Sequence, residues 1–280
     1  MSIGRFFGLL RRACVRAFQD NCLEIAKGVA FSSLLSFFPA LMVTAAVLLS
    51  QNVGGAMEEI ETFLRRLLPA GPYRLAIQYL HARDTGTRGL LAGAGFVALW
   101  SASDAILSLM AGLRAAYHLP ETRSFFKARG VALLLVVAAG TPLLAATLLL
   151  FFGQQIEQAL TRLWGEGSAL IFLIGSLARW TVAVATSIAV IGTVYHVAPD
   201  RPQRWRYVWP GAAVATVLWL SATLVFAWYV RNVARYNYLY GSISAVVVLM
   251  IWMYLVSLTI LVGCEFTAEY EGSCTPPPAA

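Results

Sequence analysis

The sequence predicts an all-α integral membrane protein: a bundle of six transmembrane helices, with amphipathic interfacial helices at the N-terminus and between spans 1 and 2. Three observations carry this. The 280 residues are 59% hydrophobic and only 12% charged, with mean hydropathy +0.70, whereas soluble domains average about a quarter charged residues. Several runs reach the ~20 apolar residues that a helix needs to cross a bilayer core. Those runs are continuous, not the short alternating segments of a transmembrane β-barrel.

Residues 3–20 come first. Phe6, Leu9, Leu10, Ala13 and Ala17 recur at helical spacing, with Arg5, Arg12 and Arg16 on another face. This pattern suits a helix on an anionic membrane surface. No signal peptide is evident, because residues 1–27 are basic and interrupted. Span 1 covers about 28–50. A connection of 38 residues follows and is expected to hold a helix at 56–68, ended by Pro69 and Pro72. Spans 2 to 6 are placed at about 89–113, 130–152, 169–197, 208–230 and 241–264. The chain thus divides into an amphipathic N-terminal segment (1–27), a six-span domain (28–271) and a Pro-rich tail (272–280) expected to be disordered.

Orientation follows from lysine and arginine. The N-terminal segment and the 2–3 and 4–5 connections carry twelve of them, the opposite side eight. The bias puts both termini in the cytoplasm, a multi-pass topology in a bacterial plasma membrane. Cys14, Cys22, Cys264 and Cys274 all fall on that reducing side, so no disulfide framework is required. The net charge of +7 is explained by these topology anchors, without a nucleic-acid partner.

Intramembrane ionisable residues are costly and point to function. Asp104 and Arg179 stand about 22 Å and about 15 Å from the outer face at helical rise, close enough for an extended arginine to reach. The pair would line a cavity as an anion-binding or proton-linked element; alternatively it fixes the fold, or Asp104 bonds to Ser101, Ser103 and Ser108. Ser32 and Ser36 share a face of span 1, and Pro39 frees the Leu35 carbonyl and should kink the helix. A kinked, hydroxyl-bearing helix suits a cavity wall, although serine and proline are also ordinary in packed spans. Glu265 ends the last apolar run with no local cation. At the cytoplasmic edge it is expected to act as a latch, taking Arg114, Arg204 or Arg206 from the 2–3 or 4–5 connection.

The stretches AKGVAFSSLLSFFPALMV, YHVAPDRPQRWRYVWPGAAVATVLW and YNYLYGSISAVVVLMIWMYLVSLTILVGCEFTAEY together resemble the YihY/BrkB family of bacterial inner-membrane proteins. The likeness rests on a Ser-Leu-Phe-Pro-like element, a Tyr–Pro–basic–Trp–Gly crossing, and a last span with Tyr-Gly, Trp-x-Tyr and Gly-x-Glu. One departure is Ser32 and Ser33 after Phe31, where the family usually has aromatic pairs. The resemblance implies six helices but no established activity; members have carried a ribonuclease label or links to serum resistance and envelope lipid traffic.

The residues do not support an enzyme. His81, His118 and His196 have no partner at metal-ligand spacing and fall on both expected sides of the membrane. No P-loop, metal site or cofactor motif is present. Two functions remain: a transporter or lipid-handling protein taking an anionic or amphiphilic substrate, or a non-catalytic scaffold. Membrane lipids are the expected partners. Six helices could enclose a site alone or form half of a homo-oligomeric pathway.

Overall fold

The computed structural model describes residues 3–50, 85–120, 123–164, 168–201, 203–232 and 244–274. These form seven helices: α1 (Ile3–Gln19), α2 (Cys22–Ser50), α3 (Thr85–Ala116), α4 (Phe125–Trp164), α5 (Ser168–Val197), α6 (Trp205–Asn232) and α7 (Ser244–Cys274). Six of them, α2 to α7, are long and apolar enough to cross a membrane by length and composition. No strand occurs among the described residues. The fold is the all-α membrane bundle that the composition requires. The expected helix at 56–68 lies outside the described residues, as do His81, Tyr236, Tyr238, Tyr240 and Gly241.

The helices outrun the apolar segments. α7 has 31 residues, about 46 Å at helical rise, against a hydrocarbon core of about 30 Å. Its last turns, from Glu265 on, therefore project past the run that ends at Cys264, and the helix enters the expected tail as far as Cys274.

The chain divides into two compact units. Unit 1 holds Met1–Leu23, Met110–Leu220 and Thr259–Ala280; unit 2 holds Glu24–Leu109 and Ser221–Leu258. In unit 1, α4 packs along α5. The interior there includes many small side chains, among them Ala116, Ala128, Ala132, Ala212 and Ala215. Small residues let membrane helices approach closely where no hydrophobic drive between helices exists. In unit 2, Gly28 of α2 faces Ser108 of α3, and the Trp252 indole of α7 donates to Thr223 of α6 at 3.3 Å.

Two turns are set by residues in the left-handed region. Asn21 (φ 54°) makes the two-residue break between α1 and α2, a conformation that Asn tolerates better than most residues. His118 (φ 52°) closes α3. Its N–H donates to Ala115 at 2.9 Å and that of Leu119 to Arg114 at 3.0 Å, the paired bonds of a Schellman cap.

Candidate functional site

The most heavily constrained part of unit 1 is the end of α7. Leu261 is 1% exposed, and Cys264, Glu265, Phe266 and Thr267 are 0%. Four consecutive helical residues point in four directions, so burial of all four means that protein covers this segment on every side.

One side is closed by backbone proximity. A Cβ on Gly263 would lie 2.6 Å from the Tyr195 hydroxyl and 3.0 Å from Ala215 Cα, and a Cβ on Gly211 would overlap the Thr267 side chain. Glycine at both positions lets α6 and α7 meet almost backbone to backbone. The Tyr195 hydroxyl donates to the Ile260 carbonyl and ties α5 to the same segment. On another side, Phe266 packs with Leu9 and Ala13 of α1, with Phe6 at 5.6 Å between ring centroids. Tyr270 stacks behind it at 6.5 Å.

The part of the apolar stripe of α1 formed by Leu9 and Ala13 is covered by protein, while Phe7, Val15 and Phe18 of the same helix stay exposed. The reason is Phe266, which supplies an apolar partner from about 250 residues away in sequence. The basic face of α1 is also engaged. Glu269, 8% exposed, takes Arg16 Nε at 2.6 Å and Arg12 at 3.9 Å, and Arg5 donates to the Ser273 carbonyl at 3.3 Å.

Glu265, expected as a latch to Arg114, Arg204 or Arg206, has these neighbours. The Cys22 thiol donates to its Oε1 at 3.7 Å, Asp20 lies within hydrogen-bonding reach, and Arg16 is the cation in its surroundings. Its neighbours are therefore those of the α1–α2 turn. Arg204 and Arg206 are exposed at the start of α6, with Arg206 over the Tyr207 ring at 4.8 Å. The physical reason is angular: Glu265 sits on the face of α7 turned to α1. The tie to the 4–5 connection is made by Glu271, which accepts from Arg201 at 2.5 Å.

Arg123 completes this end of the unit. Its guanidinium donates to the Val197 and Ala198 carbonyls at 3.2 Å each and pairs with Asp200 at 3.2 Å. A cation on the last carbonyls of α5 satisfies acceptors that the helix leaves open and meets the negative end of its dipole. Arg123→Ala is expected to lower stability by about 2 kcal/mol, read as a fall in the melting temperature of the detergent-solubilised protein, with Arg123→Lys recovering only part because a point charge cannot span the three acceptors.

Beside it, Arg201 stands over the Tyr117 ring at 5.2 Å. Burial, with Cys264 and Glu271 nearby, pushes the Tyr117 hydroxyl above the ordinary tyrosine range against the opposing effect of Gln203 and Arg201. His196 stacks on Trp205 at 4.1 Å. Among the described residues no group of three or more His, Cys, Asp or Glu could hold a metal ion.

The intramembrane candidates divide between the units. Arg179, 9% exposed in α5, belongs to unit 1. Asp104, half-buried in α3, belongs to unit 2. Each has an interaction partner. Ser103 turns its hydroxyl onto the Trp100 carbonyl at 2.6 Å. In unit 2, α2 carries Pro39 within the helix and continues to Ser50. Ser36 donates back to the Ser33 carbonyl at 2.9 Å, and Ser32 is half-buried.

Sequence reasoning missed Asp20, Cys22, Arg16 and Tyr195 as partners of the α7 end, and Glu269 as the carboxylate that takes Arg16. Glu265 and Glu269 at i,i+4 beside a glycine were the available signal, but nothing local names what faces them.

Residues 13–278 match the family model described as Virulence factor BrkB. The chain is 33% identical over 263 residues to the Bacillus subtilis protein named putative ribonuclease-like protein YfkH, covering 93% of this chain and 92% of that one. It is 28% identical to UPF0761 membrane proteins of Alkalilimnicola ehrlichii and Laribacter hongkongensis, over 89% and 91% of this chain. It spans only 55% and 59% of their lengths. No solved structure gives a significant match. The quoted Tyr195, Gly211 and Gly-x-Glu positions that carried the resemblance are those that pack the end of α7, and the chain belongs to the BrkB family of membrane proteins.

Proposed function

We propose that this chain is a multi-pass protein of the bacterial inner membrane, with both termini in the cytoplasm, that moves or handles an anionic or amphiphilic molecule such as a membrane lipid. It does so without an ATPase of its own and without catalysing a reaction. The observation that supports this reading is Arg179, a guanidinium held at 9% exposure inside an apolar helix, where a charge is retained against a cost of several kcal/mol. Asp104 is an ionisable group inside the candidate span Gly95–Ala116. A buried guanidinium in unit 1 suits binding of a headgroup anion. In unit 2, Ser32 and Ser36 would give α2 a hydroxyl-bearing surface, with Pro39 in the same helix.

Asp104→Asn and Arg179→Ala are each expected to abolish complementation of a deletion strain, while inserting normally and keeping the native melting temperature to within a few degrees. Full complementation by both variants would make the two groups structural and remove this mechanism. The ribonuclease-like name belongs to the Bacillus relative; purified protein is expected to leave RNA intact.

A scaffold is the second reading, favoured by one observation. α1 keeps Phe7, Val15 and Phe18 exposed at 63%, 50% and 73% after its other apolar face is buried. A stable stoichiometric protein partner recovered without bound lipid would select it.

A further inference from the structure

We propose that Glu265 holds a proton that it donates to Asp20 in a hydrogen bond, and that this proton locks the α1–α2 turn onto α7. The geometry starts from the turn. Asn21 in the left-handed region presents its two neighbours, Asp20 and Cys22, to the same carboxyl group. Cys22 donates its thiol to Glu265 Oε1, and Asp20 stands within hydrogen-bonding reach of Glu265. Glu265 is wholly buried. Each carboxyl group leaves one buried oxygen, Asp20 Oδ2 and Glu265 Oε2, with no donor.

Two ionised carboxylates are acceptors only, so neither can satisfy the other. A single proton taken from bulk water converts one of them to a donor and satisfies both oxygens at once. Carboxyl groups this close do not both ionise in a buried site. The remaining charged or titratable neighbours do not remove the need. Arg16 faces the pair, but its guanidinium is engaged by Glu269 at 2.6 Å. Arg12 serves the same glutamate. Cys264, buried next in sequence, and Cys22 offer only thiols. No covalent or redox step is involved, and the site is separate from Asp104 and Arg179.

The sign of the pH dependence follows. With the proton held, the pair carries a single negative charge; as pH rises the proton is lost, two buried negative charges face each other, and the turn loses its hold. Glu265→Gln keeps the shape and supplies the N–H donor permanently.

The test is infrared spectroscopy of the purified full chain at neutral pH, with melting temperatures followed from mildly acidic to alkaline pH. The native protein is expected to show the C=O stretch of a protonated carboxyl group that both Glu265→Gln and Asp20→Asn lose. Its melting temperature is expected to fall relative to Glu265→Gln as pH rises. Absence of the band, its persistence in both variants, or parallel melting profiles would overturn the proposal. If Glu265→Gln does not fold, Asp20→Asn carries both readouts.

Discussion

Gly263→Ala is expected to lower the stability of the protein by about 3 kcal/mol, the upper end of the usual range for overpacking. The sign is the informative part. Alanine in a helix interior ordinarily gains about 0.8–1 kcal/mol over glycine. At Gly263 the added methyl meets Ala215 and the Tyr195 hydroxyl. Tyr195 cannot yield freely because its hydroxyl is bonded to the Ile260 carbonyl, and Ala215 is 0% exposed on α6. Either α6 and α7 separate, exposing the buried face around Thr267, or the tyrosine bond breaks. Gly130→Ala in α4 is the matched control, since nothing lies within 4 Å of a Cβ there; it is expected to raise the melting temperature slightly. Melting of the two variants in the same detergent checks the contrast. A neutral or stabilising Gly263→Ala would mean that the two helices are not in backbone contact.

Glu269→Arg is expected to be the next most damaging change, by about 2–3 kcal/mol. Glu269 is 8% exposed and bonds Arg16 at 2.6 Å, so the substitution replaces a buried charge-assisted hydrogen bond with repulsion. The full penalty of a buried pair does not apply, because the Arg16 side chain is 44% exposed and water screens it. The double variant Arg16→Glu with Glu269→Arg should recover more than half of the loss. Recovery stays incomplete because Arg12, at 3.9 Å, then faces a like charge. Loss without recovery would place the effect in packing around Phe266 instead of in the ion pair.

The six spans were legible because each is an uninterrupted apolar run, and hydropathy depends only on local composition. Their ends were not, because a helix continues past its apolar segment until a cap stops it. α3 runs on to Ala116, where His118 and Leu119 close it, and α7 runs on to Cys274. The identity of Glu265 as a residue of consequence was legible from its place at the end of an uncharged run. Its neighbours were not. They come from Asp20 and Cys22, more than 240 positions earlier, and no local pattern encodes a contact at that separation. The amphipathicity of α1 was read correctly as two faces, but a stripe of Leu9, Ala13 and Ala17 reads the same whether lipid or Phe266 covers it. The glycines at 211 and 263 carried the family resemblance before their reason was visible. Only the approach of Thr267 and Ala215 to them explains why a side chain is excluded.

The account turns on α1 being held against the end of α7 by Phe266 and Glu269. Its most direct test uses the two exposed native cysteines, Cys14 on α1 and Cys274 at the end of α7, since Cys22 and Cys264 are buried. Spin labels on Cys14 and Cys274 of the reconstituted protein, read by pulsed electron resonance, are expected to give one narrow distance distribution that broadens in Glu269→Arg. A broad distribution in the native protein, unchanged by that substitution, would contradict the docking of α1 on α7.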